Sequence, residues 1–471
     1  MKLHSSFRAV LSAAVLAGSL AAVAAVEAPA ISGASSSVNC APSAINGHVN
    51  ISFWESSAGN NASAMAKLVK QFNATHPNIT VTDVNQTGGY EQTYDLFKNS
   101  LNDTSTTPDV VYGDDYSTQA MLDTAGIVPV STCIAQTKYS TSGFLKKTIM
   151  QQTINGNLVA LPYSASAPVL LYDKVALKAA GVSAAPTTIA AMEADAAKLV
   201  KTKIWTDGMT IKNDPWWLQV YLGMANQDFV NNNNGHTGKA TAMAFGTSSS
   251  PSQSTAVALL SALQSMVYTQ KDAVAFSSTA TGLAAYNNLL AIGEKKAGMT
   301  IDTSATLGTV EADIKALYPK VVLGVSPLPL LTAKDNYGVQ PGGNSLFLGA
   351  EGGNAKIAAS WEFIQWLDSA TEQATWDAAT GYVPVTTAAA TTSTIKSLWA
   401  KDPYFKVAYT EITAGSANYS SAGPDFGAYY PVNNQLTSVM SSILQNDSNI
   451  NTELSNFASY AQNEMASPAN G

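Results

Sequence analysis

The strongest constraint in this chain is an alternation, beginning at residue 49, of short β-branched runs with longer amphipathic ones. Residues 49–54 (VNISFW) read as a strand. Behind them Met65, Leu68, Val69 and Phe72 fall at i, i+3, i+4 and i+7 on one face of a helix that His76-Pro77 stops. Residues 79–84 (ITVTDV) form a second strand, and Gly88-Gly89 open a helix carrying Tyr90, Tyr94, Phe97 and Leu101. Residues 108–112 (PDVVY) make a third strand, followed by a helix over 118–124. Parallel neighbours need long crossovers, so this β-α-β-α-β rhythm predicts an α/β fold with a largely parallel sheet covered on both faces. Ligands of such sheets sit beyond the carboxyl ends of the strands, the position of Trp54-Glu55 and of Gly113-Asp114-Asp115.

A second unit of the same kind starts at 168–172 (PVLLY), with helices expected over 188–200, 254–268 and 283–295, and an extended, proline-marked crossing at 321–330. Next comes a helix with Ile357, Trp361, Ile364 and Leu367 on one face, and Trp361, Trp366 and Trp376 read as core. The polar run 231–235 is a loop. A length of 471 residues agrees with two or three domains at roughly 150 residues each.

Charge narrows the partners. Only 12% of residues are charged, and 25 basic against 33 acidic residues give 25 − 33 = −8, which offers a nucleic-acid backbone no attraction. Arg8 is the sole arginine. The forked guanidinium grip on phosphate or carboxylate is therefore missing beyond the N-terminal segment, which turns the ligand question toward neutral molecules. Low charge also suits an acidic habitat, and the two causes stay open.

Residues 1–30 carry Lys2 and Arg8, then an uncharged Leu/Ala/Val run and small residues, the pattern of an export signal; a retained membrane anchor is the alternative. Residues 31–45 read as a flexible mature N-terminus. The two cysteines, Cys40 and Cys133, fit one disulfide in an exported protein, with lipidation of Cys40 as the competing reading.

In order along the chain, the segments ISFW, QFNATHPNITV, GGYEQ, PDVVYGDD, AGIVPV, PYSASAPVLLYDK, GVSPLPL, GGNSLFL, AASWEFIQWL and TGYVPVT resemble the carbohydrate-binding family of extracellular solute-binding proteins of ABC importers, which includes maltose-binding and sn-glycerol-3-phosphate-binding members. The resemblance implies a two-lobe periplasmic-binding-protein-like fold. Each lobe has a mainly parallel sheet flanked by helices, and the ligand lies in the cleft between them. It divides the chain into 46–164 with 330–377 as lobe 1 and 165–329 with 378–471 as lobe 2. Hinges fall near 163–168, 325–329 and 375–380. The implied partners are a neutral carbohydrate and the transmembrane subunits of an ABC permease. The protein is expected to be a monomer, exported and extracellular, cell-surface associated or periplasmic, without cofactor or metal.

Carried over residue by residue, the resemblance makes Tyr90, Asp115, Ser166, Ser304, Gly342, Gly343 and Tyr382 ligand contacts, and Trp216, Trp217 and Trp54 candidate stacking faces. Stacking aromatics and hydrogen-bonding carboxylates or amides are what a sugar requires. Asp114 is the alternative to Asp115, which would then cap a helix. The phosphate-holding arginine of the glycerol-phosphate-binding members has no counterpart in residues 425–430 (DFGAYY), where Tyr429 or Tyr430 would contribute instead. Enzyme readings find little support. His4, His48, His76 and His236 lack metal-ligand spacing, and no nucleophile elbow is present.

Overall fold

The computed structural model describes residues 38–278, 286–335 and 337–467. Residues 1–30, read from the sequence as an export signal, residues 31–37 and the start of the helix expected over 283–295 lie outside them.

The first sheet takes β1 (Val49–Glu55), β2 (Ile79–Asn85), β3 (Val110–Asp114) and the short β4 (Ile127–Val128). A small hairpin of β5 (Thr153–Ile154) and β6 (Asn157–Leu158) precedes β7 (Leu161–Ser166), which joins the same sheet. The second sheet is built from β8 (Pro168–Asp173), β9 (Met209–Asn213), β10 (Ala273–Ser277), β11 (Met299–Thr303) and β12 (Leu323–Pro327). The chain then returns to the first sheet as β13 (Gly342–Gly349).

Both sheets are mixed. In the first, β1 lies parallel to β2 and β3, while β13 runs antiparallel to β3, β4 and β7. In the second, β9 lies parallel to β10 and β11, and β8 runs antiparallel to β11 and β12. The sequence rhythm foretells the parallel pairs because a helix joins each; β13 instead enters from the other lobe, and nothing obliges it to match their direction.

The helices behave as their patterns demand. Helix Gly59–Thr75 buries Met65, Leu68, Val69 and Phe72 and ends where His76 donates its N–H to Phe72 O. Helix Ile189–Lys201 starts on a Thr188 cap whose hydroxyl accepts the Ala191 N–H, and helix Gln253–Tyr268 spans the expected stretch. Trp361 and Trp376 are fully buried, and Trp366 is half-buried beside Phe72. Among the described residues no helix is long and apolar enough to cross a membrane.

The chain crosses between sheets at Ala167, between β7 and β8, and again between Pro327 and Gly342, close to two of the expected hinges. The third differs. Residues 375–379 belong to helix Ala370–Ala379, which packs on Gly59–Thr75. Fully buried Trp376 donates its indole N–H to Ser164 Oγ at 2.9 Å and fixes that helix to the first lobe. Helices Thr387–Ala390 and Ser393–Lys401, within the stretch assigned to lobe 2, pack against it as well. The chain meets the second lobe again at Pro403–Lys406, beside β12.

Residues 38–45, read from the sequence as part of a flexible N-terminus, are held in place. Cys40 and Cys133 form a disulfide across a sequence separation of 93, and both are buried. Around them Gln136 accepts the Cys40 N–H at 2.9 Å and donates to Val38 O at 2.9 Å.

Candidate functional site

Between the two sheets lies a cavity of about 290 Å³. This is near the lower end of small-molecule sites, which run from about 300 to 1,000 Å³. Each wall is a set of strand ends. From the first lobe come Asp114 at the end of β3, Ser166 at the end of β7 and Gly342, Gly343 and Asn344 at the start of β13. From the second come Asp302 and Thr303 at the end of β11, and Asp214, Trp216 and Trp217 just after β9. Tyr90, Tyr116, Tyr382, Ala305, Tyr429 and Asn433 complete the lining.

Of the residues expected from sequence, Tyr90, Ser166, Trp216, Trp217, Gly342, Gly343 and Tyr382 are brought together here. Both tryptophans reach the cavity, with ring centroids 5.6 Å apart and planes 33° apart. Trp217 is anchored by its indole N–H on Lys212 O at 2.8 Å, while the buried indole nitrogen of Trp216 has no partner among the described residues. Trp216 lies against Gly342 so closely that an added Cβ would sit 2.6 Å from its Cζ2. Gly343, at φ +149°, has the Ser164 carbonyl 2.0 Å from the place of a Cβ, so only glycine fits.

Three expected residues are not among the lining. Asp115, just past the end of β3, is buried with its side chain hydrogen-bonded to that of Asp114, and Asp114 is the one of the two that lines the cavity. Nor is Asp115 a helix cap: helix Thr118–Asp123 begins at Ser117 without any side-chain cap. Ser304 instead joins the lobes at the first crossing, its Oγ accepting the Ala167 N–H at 3.2 Å and its N–H reaching Ala167 O at 2.9 Å. Its neighbours Asp302, Thr303 and Ala305 face the cavity. Trp54 packs half-buried on the cluster of Phe97, Val111 and Phe347.

Asn344 and Tyr116 were not legible as contacts, whereas Tyr429 is one of the two residues the sequence offered in place of the missing arginine. Asn344 accepts hydrogen bonds from the hydroxyls of Tyr90 at 3.2 Å and Tyr382 at 3.1 Å, and so orients both rings. Its only sequence signal is its place directly after the double glycine of GGNSLFL. Tyr116 and Tyr429 stack across the cleft with centroids 5.4 Å apart. Tyr429 falls in the segment that lacks the arginine of the glycerol-phosphate-binding members.

Electrostatically the lining is acidic: among the described residues it has three aspartates and no lysine, arginine or histidine. Lys212 stands behind Asp214 and Asp302 at 3.7 and 4.0 Å. Burial works against its charge, but Asp302 and Asp214 keep its pKa above the ordinary lysine value. Burial pushes Asp114 up to about 6, against a hydrogen bond from the Tyr116 N–H. Asp115 is driven well above the usual carboxylate range, first by burial and then by Asp114. Burial thus favours the protonated form of both carboxyls.

Two mixed sheets with a cleft at their strand ends define a two-lobe, periplasmic-binding-protein-like receptor. The profile of the bacterial extracellular solute-binding protein family matches residues 67–406, and the chain belongs to that family. It is a solute-binding receptor of an ABC importer, acting outside the cytoplasm. A relative is the sn-glycerol-3-phosphate-binding periplasmic protein UgpB of Yersinia enterocolitica, 27% identical over 375 residues, 76% of this chain and 79% of that protein. Similar folds are the GacH receptor of Streptomyces glaucescens, solved unliganded and with acarbose (TM-score 0.71, 19% identity, 89% of this chain and 98% of that one), and UgpB of Mycobacterium tuberculosis with glycerophosphocholine (TM-score 0.73, 17% identity, 88% and 98%). The matched relatives are binding proteins of transporters, not enzymes.

Proposed function

We propose that this receptor captures a sugar or oligosaccharide without anionic groups in the interlobe cleft and delivers it to the permease subunits by lobe closure. One observation carries the choice of ligand: tyrosines, tryptophans, amides and carboxylates line the cavity, and among the described residues no basic side chain does. Rings supply faces for sugar C–H groups, and Asp114, Asn344 and Asn433 supply acceptors and donors for hydroxyls. A phosphate placed there would meet carboxylates without a counter-charge. In this reading Tyr90, Ser166, Trp216, Trp217, Gly342, Gly343 and Tyr382 remain contacts, and Asp114 takes the place of Asp115.

A second reading, a receptor for glycerol phosphate or a glycerophosphodiester, is favoured by the relatives named sn-glycerol-3-phosphate-binding proteins. Closure follows from ligand contacts made to both lobes at once, which favour the closed form over the open one. A thermal-shift screen of mono-, di- and oligosaccharides beside glycerol phosphates tests the ligand, since a compound that binds only the folded state raises Tm. Small-angle scattering tests closure; an unchanged radius of gyration at saturation refutes it.

A further inference from the structure

We infer that Lys212, which does not itself line the cavity, is the positioning residue of the second lobe's wall: it holds Asp214 and Asp302 as a pair of ionised acceptors, so that the ligand meets this wall with at least two hydroxyl donors. The inference rests on the reading of the cleft as a site for a neutral sugar and narrows how that sugar is held.

Lys212 stands next to last in β9, outside the lining of the cavity. Its Nζ lies 3.7 Å from Asp214 Oδ2 and 4.0 Å from Asp302 Oδ1, too far for a hydrogen bond yet near enough for one ammonium to face both carboxylates. Among the described residues no other ion pair includes either aspartate. The rest of the wall is fixed around this pair. Asp214 Oδ1 accepts the Trp216 N–H at 3.0 Å. Asp302 accepts the Thr303 N–H at 2.7 Å through Oδ1 and the side-chain amide of buried Asn288 at 2.8 Å through Oδ2. The main-chain carbonyl of Lys212 takes the Trp217 indole N–H at 2.8 Å. Both carboxylates and both tryptophans on this side are thus tied to Lys212 or to Asp214.

An ionised carboxylate only accepts hydrogen bonds and has room for about four. The bonds just described leave lone pairs free on both aspartates, so hydroxyl donors are what this wall receives. Two carboxylates gathered in one place without a cation repel each other, and one of them takes up a proton. A protonated carboxyl donates as well as accepts, and the wall would then offer two patterns in place of one. An ammonium behind the pair removes that ambiguity and leaves the cavity open. The other titratable groups that face them are phenols, Tyr286 toward Lys212 and Tyr429 toward Asp214.

Two kinds of replacement test this on the intact protein. Lys212→Met keeps the length of the side chain and removes the charge, with Lys212→Gln beside it as a second uncharged variant; Lys212→Arg keeps the charge. Because Trp217 is held by the main-chain carbonyl, none of these releases its ring. Without ligand, tryptophan fluorescence followed from pH 4 to 8 should show in the uncharged variants a titration step that the parent and Lys212→Arg lack, as the unpaired carboxylates share a proton beside Trp216. Adding Asp302→Asn to Lys212→Met should abolish that step, because the remaining carboxylate has no rival. In calorimetry with glucose and with maltose, affinity should fall about tenfold or more in Lys212→Met and return to within a few-fold of the parent in Lys212→Arg. Fluorescence profiles of both uncharged variants that match the parent overturn the inference, and so does a loss of affinity that Lys212→Arg fails to restore. If neither sugar binds the parent, the neutral-sugar reading suffers alone, and the ligand-free titration still decides for or against the role of Lys212.

Discussion

Replacing Gly342 by alanine places one methyl group where the two lobes meet. The added Cβ would stand 2.6 Å from Trp216 Cζ2, 3.0 Å from Cη2 and 3.2 Å from Cε2, so the indole must move by several tenths of an ångström or more. Gly342 is not among the positive-φ glycines, so the backbone accepts alanine and the penalty is steric alone. Overpacking of this kind costs about 1 to 3 kcal/mol. Gly342 opens β13 of the first sheet and Trp216 follows β9 of the second, so under the proposed closure the cost falls on the closed form and is absent once the lobes separate. Ligand affinity should therefore fall by about 5- to 150-fold, since every 1.4 kcal/mol is tenfold. The Tm of the ligand-free protein should stay within about a degree of the parent. Calorimetric titration beside differential scanning fluorimetry reads both quantities. The double variant Gly342→Ala with Trp216→Leu should regain none of the lost stacking but should no longer show the steric increment over Trp216→Leu alone. An unchanged Kd for Gly342→Ala, or a Tm drop of several degrees at unchanged Kd, would refute the reasoning.

Three further outcomes are expected. Opening the disulfide with Cys40→Ser and Cys133→Ser frees a loop spanning the 93-residue separation; in the chain-entropy picture this costs about 4 to 5 kcal/mol, and calorimetry should show Tm lower by on the order of 10 °C. Asn344→Ala removes the shared acceptor of Tyr90 and Tyr382, and ligand affinity should fall by about 1 to 3 kcal/mol with the far-ultraviolet dichroism unchanged. Stability should be greatest in acid. Burial raises Asp83 to about 6, Glu411 to about 7 and Glu311 to about 8, and lifts Asp377, whose two oxygens have no hydrogen-bond partner among the described residues, well above the carboxylate range. The folded state then holds protons that the unfolded chain has released, so the stabilisation is complete below about pH 4 and fades as pH rises toward 8. A Tm series from pH 4 to 8 should fall steadily, Asp377→Asn should flatten part of that fall, and a Tm rising across the range would contradict the assignment.

The sequence by itself determined the elements and the class of fold. A strand followed by an apolar stripe at helical spacing, as in VNISFW with Met65, Leu68, Val69 and Phe72, leaves one way to bury that face, and successive parallel strands require the helices between them. The order of weak motifs carried the family, while the two cysteines left a disulfide and a lipidated Cys40 both open until the structure joined Cys40 to Cys133. The cleft was partly legible because strand ends and double glycines mark where backbone and ligand approach. Tertiary structure alone decided the rest. That Asp114 rather than Asp115 lines the cavity depends on where β3 ends against β13, a strand more than 200 positions away. Asn344 could not be recognised as the acceptor for Tyr90 and Tyr382 from its neighbours, because both tyrosines reach it across the lobe from other segments. The direction of β13 and the attachment of residues 387–401 to the first lobe likewise depend on contacts such as Trp376 to Ser164. Local pattern fixes periodicity and burial; long-range packing fixes which side of the cleft each polar atom meets.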